Sequence, residues 1–238
     1  MYTFESRIRY SEINYHNHID IHTIINYFQD CSTFHSEDIG VGLEYFKSRN
    51  LAWFLSSWQI NVTDYPKLGD YITVGTWASG FQSLFGSRNY IMKNEFDRVV
   101  ACANSIWVLM DTERMRPVKL NHIDIEKYEI EDPYPMDYKP RKIAIPKDLT
   151  EMEQFCVVKR NLDTNHHVNN GEYVKMAEEY LPTNFAMTEM RAEYKKSAVL
   201  GDIIIAKRHL EGNVCTVVLA EENGNPYTIL QFTSDTYK

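Results

Sequence analysis

The chain carries the same pattern twice. Twenty residues from Ser11, SEINYHNHIDIHTIINYFQD, can be laid over RNLDTNHHVNNGEYVKMAEE from Arg160. The overlay pairs Asn14 with Asp163, His16 with Asn165 and His18 with His167, and drops Ile24 and Ile25 onto Tyr173 and Val174. Further on, Leu68-Gly69-Asp70 and Leu200-Gly201-Asp202 repeat in the same order. Any one match could be chance, but their shared order points to a duplicated unit. A length of 238 residues accommodates two compact units.

The predicted elements repeat as well. Tyr2 to Arg9 alternates and reads as a strand. Ile19 to Asp38 places Ile21, Ile24, Ile25, Phe28 and Phe34 near helical spacing. Four β-rich runs follow, Leu51–Thr63, Asp70–Ala78, Ser83–Asn94 and Val99–Met110, with turn signals at Asp64-Tyr65-Pro66, Ser79-Gly80 and Asn94 to Asp97. In the second half Glu153–Arg160 reads as a strand and Gly171–Leu181 as a helix stopped by Pro182. Strands are then expected at Glu189–Lys196, Asp202–Leu210, Val214–Glu221 and Tyr227–Thr236.

Between the halves, residues 112–152 hold five of the eight prolines. Proline removes a backbone donor and constrains the residue before it, so this stretch reads as a linker. The expected organisation is an N-terminal unit over 1–111, a linker over 112–152 and a C-terminal unit over 153–238. A strand, a helix apolar on most faces and then an antiparallel sheet is the order of a hotdog unit. The fold class expected is therefore α+β, with two tandem hotdog units, each a long helix wrapped by an antiparallel sheet.

A net charge of -8 argues against nucleic acid as the main partner. The longest apolar runs, such as Leu51 to Trp58, are too short to span a bilayer. No basic segment followed by an apolar one opens the chain, so no secretory signal is expected. Cys31, Cys102, Cys156 and Cys215 are scattered, which fits reduced thiols in a cytoplasm better than a disulfide frame or a zinc site.

The densest polar cluster is NLDTNHHVNN, Asn161 to Asn170. Asp163, Asn165 and His167 alternate, and in an extended segment they would share one face. Asn169, Asn170 and Gly171 fall where a helix begins, with Asn a good cap and amides directed outward. Helix amides can polarise a carbonyl, an imidazole moves protons, and a carboxylate can orient either the imidazole or a water. The same residues could equally form a capped turn whose polar groups satisfy only the backbone. His16, His18 and His22, with Asp20, have a superficial metal-ligand look. The repeat instead explains His18 as the counterpart of His167, with Asn14 where the acid would be.

DTNHHVNNGEYV resembles the DxNxHVNN segment of the plant and bacterial acyl-acyl carrier protein thioesterases. The likeness extends to HIDIHTIINYFQDCSTFHSEDIG near the start and to the late AEYKKSAVLGD. It implies that Asp163, Asn165 and His167 are catalytic, that Asn169, Asn170, Gly171 and Ser197 bind substrate, and that neither metal nor organic cofactor is used. It also implies that the first unit holds the acyl chain, and that the reaction releases a free fatty acid from acyl carrier protein and ends chain elongation. The family has a further glutamate, often followed by cysteine, late in a strand; Ser197 and Ala198 stand there. Glu193, four residues earlier, would lie roughly 13 Å from Ser197 in a strand. The alternatives are an acyl-CoA thioesterase of the same fold and a catalytically silent acyl-binding protein. Lys139, Arg141, Lys142, Lys195 and Lys196 are candidates for docking an acidic carrier. No nucleic acid and no membrane insertion are expected, and a homo-oligomer is compatible with the sequence.

Overall fold

In the computed structural model, which describes residues 1–120, 125–235 and 237, alternation in Tyr2–Arg7 produces strand β1, whose residues alternate in burial. Asp20 then starts helix α1, Ile21–Asp38, by accepting the Thr23 N–H at 2.8 Å. Ile21, Ile24, Ile25 and Phe28 are buried at helical spacing, and the helix packs on β1 and on β3, Tyr71–Gln82. A short helix α2, Leu43–Lys47, was not expected. It buries Phe46 in a cluster with Val41, Ala78, Leu109, Leu120 and Tyr128.

Two compact units divide the chain. The first comprises Met1–Ser56 and Val62–Tyr138, the second residues 57–61 and those from 139 onward. With β2 at Leu51–Val62, β4 at Phe85–Asn94 and β5 at Val99–Asp111, the strand order of the first unit is β1-β3-β4-β5-β2. The expected turn at Ser79-Gly80 is absent. β3 runs on to Gln82 because a register shift between Ala78 and Gly80 absorbs Ser79 as a bulge. The reversal comes at Ser83, whose φ is 58°.

The proline-rich stretch forms no long element. Arg116–Pro117, β6, pairs with the end of β5, and Ile125–Lys127 makes one 3-10 turn. Residues 121–124 of the expected linker lie outside the described residues, as does Thr236 of the expected last strand. Up to Tyr138 the stretch belongs to the first unit, where the Trp77 indole donates to the Asp132 carbonyl at 3.0 Å.

In the second unit β7 is Thr150–Cys156. It ends earlier than the expected Arg160 because Lys159–Asn161 turns as a 3-10 helix, with Asn161 Oδ1 accepting the Val158 N–H. Helix α3, Asn170–Glu178, buries Gly171, Tyr173, Val174 and Ala177. The strands are β8 Glu189–Tyr194, β9 Ile203–Glu211, β10 Val214–Ala220 and β11 Pro226–Thr233. Their order is β8-β11-β10-β9-β7, with residues 57–61 of β2 pairing on β8. Each unit thus shows the expected strand, helix and antiparallel sheet. Among the described residues no helix is long and apolar enough to cross a membrane.

One polar group in the first unit ties stability to acidity. Arg88, 8% exposed, places Nη1 3.1 Å from His35 Nδ1 and 3.2 Å from Thr76 Oγ1. Burial first, and then the Arg88 charge, pushes the His35 imidazole down to about 4. An unfolded imidazole takes its proton near 6.5, so the unfolded state binds more protons between the two values. Stability should therefore be full above about 6.5 and fall as pH drops towards about 4. Denaturation midpoints at about pH 7 and about pH 5 should differ less in His35→Gln than in the wild type. An undiminished difference in the variant would place the acid sensitivity elsewhere.

Candidate functional site

Asp163 to His167 form a tight turn, not the extended face expected from their alternation. The Asp163 N–H donates to the His167 carbonyl at 2.7 Å, and the His166 N–H donates back to the Asp163 carbonyl at 3.1 Å. His166 takes a φ of 61° in this reversal, a conformation in which Asn, Asp and His are enriched. Asp163 Oδ1 accepts the Asn165 N–H at 2.8 Å and the His167 N–H at 3.2 Å. The carboxylate is thus the turn's internal acceptor. It leaves Asn165 exposed at the tip, with Asp163 and His167 half-buried at the base.

The turn is pinned on both flanks. Leu162 bridges to Val168 and His167 bridges to Val199, both antiparallel. The Val168 N–H donates to the Ala198 carbonyl at 2.9 Å. Ser197, half-buried, lies two residues before Val199, the bridge partner of His167. Asp202 holds the end of that segment by accepting the Val199 N–H at 3.0 Å and the Tyr227 hydroxyl at 3.1 Å. Burial, then the adjoining Asp202 carboxylate, pushes the Tyr227 phenol up to about 12. Gly201, at φ 89°, makes the bend possible, as Gly69 does at 91° in the first unit.

Helix α3 starts as expected, but its amides are largely consumed. Asn169 is the cap, with its Oδ1 accepting the Gly171 N–H at 2.8 Å and its carbonyl accepting the Glu172 N–H at 3.0 Å. The Asn169 N–H itself donates to the Asn161 carbonyl at 2.9 Å. Of the amides from Asn169 to Gly171 expected to face a substrate, that of Asn169 is thus bonded to a backbone carbonyl and that of Gly171 to the capping side chain.

Glu193, weighed by sequence only for its distance from Ser197, is 1% exposed. Its Oε2 accepts the Ile143 N–H at 2.9 Å, and its Oε1 lies 2.6 Å from Lys195 Nζ and 4.0 Å from Arg141. Lys196 is likewise paired, with Glu221. Lys195 and Lys196 are therefore each engaged in an ion pair within the unit. The alternation of β8 sends Tyr194 to the α3 side, where its hydroxyl donates to the Asn170 carbonyl at 3.0 Å. Glu193 consequently lies on the opposite face of the strand, and strand geometry separates it from the turn.

The first unit repeats the turn with a different charge. The Asn14 N–H donates to the His18 carbonyl at 2.9 Å, the Asn17 N–H to the Asn14 carbonyl at 3.0 Å, and the His16 N–H to Asn14 Oδ1 at 2.9 Å. Asn17 has φ 66°, and His18 bridges to Lys67 as His167 does to Val199. Asp20 is occupied as the α1 cap, and His18 Nδ1 lies 2.7 Å from the Ile19 carbonyl.

The acyl-ACP thioesterase N-terminal domain model matches residues 1–128, and the acyl-ACP thioesterase C-terminal domain model matches residues 145–232. The chain belongs to the acyl-ACP thioesterase family. A chloroplastic acyl-acyl-carrier-protein hydrolase of Cuphea viscosissima is 27% identical over 229 residues, covering 87% of this chain and 55% of that protein. A chloroplastic oleoyl-acyl carrier protein thioesterase of Arabidopsis thaliana is 23% identical over 219 residues, covering 83% and 60%. The chain thus spans between half and two thirds of the length of these relatives. The crystal structure of an acyl-ACP thioesterase from Bacteroides thetaiotaomicron superposes with a TM-score of 0.89 at 19% identity, covering 97% of this chain and 96% of that one. The 12:0-ACP thioesterase of Umbellularia californica gives 0.84 at 18%, with 97% and 96% covered. The fold is that of acyl-ACP thioesterases, a hotdog fold.

The turn separates the two jobs of Asp163. Asp163→Asn keeps an Oδ1 acceptor, as Asn14 does in the first unit, and should leave the denaturation free energy within about 0.5 kcal/mol. Asp163→Ala removes both bonds to the turn and should cost about 1–2 kcal/mol. Equal losses in the two variants would mean that the charge, not the acceptor, holds the turn.

Proposed function

We propose that the chain hydrolyses fatty acyl thioesters of acyl carrier protein, releasing a free fatty acid and the carrier. The observation that carries this reading is the Asp163–His167 turn, set against the N-terminus of α3 within the region that the family's C-terminal domain model matches. The first unit would take the acyl chain and the second would supply the chemistry. Relatives named as acyl-acyl-carrier-protein hydrolases support the donor. The four cysteines, all unpaired, support a cytoplasmic setting.

In this reading water attacks the thioester carbonyl carbon, His167 accepts its proton, and the carbon–sulfur bond breaks. The departing thiolate then takes the proton back. The Asn170 N–H and the Asn165 amide polarise the carbonyl oxygen. Asp163 anchors the turn that presents His167. Ser197 borders the reacting carbonyl. No metal or organic cofactor enters these steps. No thiol takes part, because Ala198 stands where the family often has cysteine.

His167→Ala should lower turnover on acyl carrier thioesters by roughly 10²-fold or more, the usual scale for a positioned proton-transfer group. His18→Ala, at the matching turn of the first unit, should leave turnover within about threefold. Free acid released from acyl-carrier and acyl-CoA thioesters measures both variants and separates the donors. Equal losses in two folded variants would sink the single-site reading, and release from neither donor would favour a silent acyl-binding protein.

The carrier is acidic, so its encounter should weaken with salt. kcat/KM for the carrier thioester should fall as ionic strength rises, while that for a small uncharged thioester stays level. Reversing Lys195 is a poor probe of docking, since it would set a second carboxylate beside buried Glu193. Lys142, exposed, is the cleaner choice. Lys142→Glu should raise KM for the carrier thioester alone, and a donor-independent effect would remove that lysine from the docking face.

A further inference from the structure

We infer that Tyr173 is a positioning residue for this reaction, holding Ser197–Val199 against the segment that carries His167. The inference rests on the reading proposed above. Ala198 is fully buried, yet its N–H lies beyond the end of β8 and has no ladder partner. The Tyr173 hydroxyl, itself on a residue 1% exposed, accepts that N–H at 2.7 Å. The Ala198 carbonyl accepts the Val168 N–H. The peptide groups of Ala198 are thus clamped on one side by helix α3 and on the other by the segment that continues from His167.

The first unit solves the same problem differently. The Ile19 N–H donates to the Pro66 carbonyl at 3.0 Å, the counterpart of the Val168 bond. Proline has no N–H to satisfy, and the position of Tyr173 is held by Ile24, which has no acceptor to offer. Before Pro66 stands Tyr65, whose ring packs 5.3 Å from that of His18. In the second unit that place belongs to Ser197, which has no ring to brace a histidine. Ring packing and proline rigidity are both absent there, and the phenol hydrogen bond replaces them. Burial pushes the Tyr173 phenol upward, so it stays a neutral hydroxyl through the working pH range. Tyr194, 6.1 Å from it ring to ring, instead donates its hydroxyl to the Asn170 carbonyl, so two phenols fix the helix end and the segment opposite the turn.

Paired substitutions test this. Tyr173→Phe strands a buried N–H, and Ala198→Pro sets a ring carbon against the hydroxyl. Each alone should lower kcat on the acyl carrier thioester by roughly tenfold or more, with KM within about twofold, because a small displacement of an aligned group falls on the chemical step. The double variant reproduces the Ile24 and Pro66 arrangement of the first unit and should recover most of the lost kcat. All are to be assayed well below their unfolding midpoints, where a purely stabilising residue would leave kcat unchanged. Faster exchange of the Ala198 amide in Tyr173→Phe should accompany the loss. A folded Tyr173→Phe protein with wild-type kcat, or a double variant no better than its worse parent, would overturn the role. An inert wild-type protein would overturn the reaction itself and this role with it, so the two failures are told apart by the wild-type control.

Discussion

A chain that leaves a strand, reverses and enters a helix within ten residues exposes more backbone donors than its own carbonyls can satisfy. At Asp163 one carboxylate oxygen closes that deficit by accepting the N–H groups of Asn165 and His167. Asn169 then does the same for Gly171 at the helix start. Everything proposed for this site depends on that closure. Without it the imidazole of His167 would sit on a mobile loop, and the helix end would have no fixed direction. The cost is that most of the polar groups which look available for chemistry are already in use. The proposed reaction draws on one helix amide, the Asn165 side chain and the imidazole, on a backbone held from several sides.

The two copies of the turn share a backbone and differ in what they display. Asn14 supplies the same acceptor as Asp163 without the charge, and its Nδ2 lies 3.4 Å from His18 Nδ1. The rings of His16 and His18 stack 5.8 Å apart where the second unit has Asn165 and His167. Duplication preserved the scaffold because the hydrogen bonds demand only an oxygen at that position. Charge, the exposed amide at the tip and a small residue at Ser197 are demands of another kind. They are met only in the second copy.

Much of this was legible in the sequence, for reasons that can be named. Alternation in Tyr2–Arg7, the helical spacing of Ile21 to Phe28 and the recurring Leu-Gly-Asp bends are local signals, and each appears where expected. Other features depend on partners distant in the chain. Ser79-Gly80 looks like a turn until β4 pairs across it and turns the irregularity into a bulge. The Asp163–His167 segment looks extended by alternation, whereas the closing bond between Asp163 and His167 makes it a hairpin. Helix amides look free because a sequence does not say that Asn169 will cap by accepting from Gly171. Glu193 illustrates the limit best: nothing local shows that a strand carboxylate will be buried under residues 139–143.

That burial bears on how the site can manage without the family's glutamate. Glu193 is the carboxylate nearest in sequence, but its two oxygens are committed to the Ile143 amide and the Lys195 ammonium. Arg191, two residues along the same face, donates to the Pro140 and Lys142 carbonyls, so this side of β8 serves to hold the chain that crosses it. Drawing Glu193 to the other face would leave a lysine and a buried amide without partners and would require the strand to shift register by one residue. Asp163 is bound to the turn in a similar way. Ser197 can donate or accept a hydrogen bond but cannot take up a proton as a base near neutrality. In the reaction proposed here, proton transfer falls to the imidazole of His167. Its alignment then depends on the clamp that Tyr173 closes on Ala198.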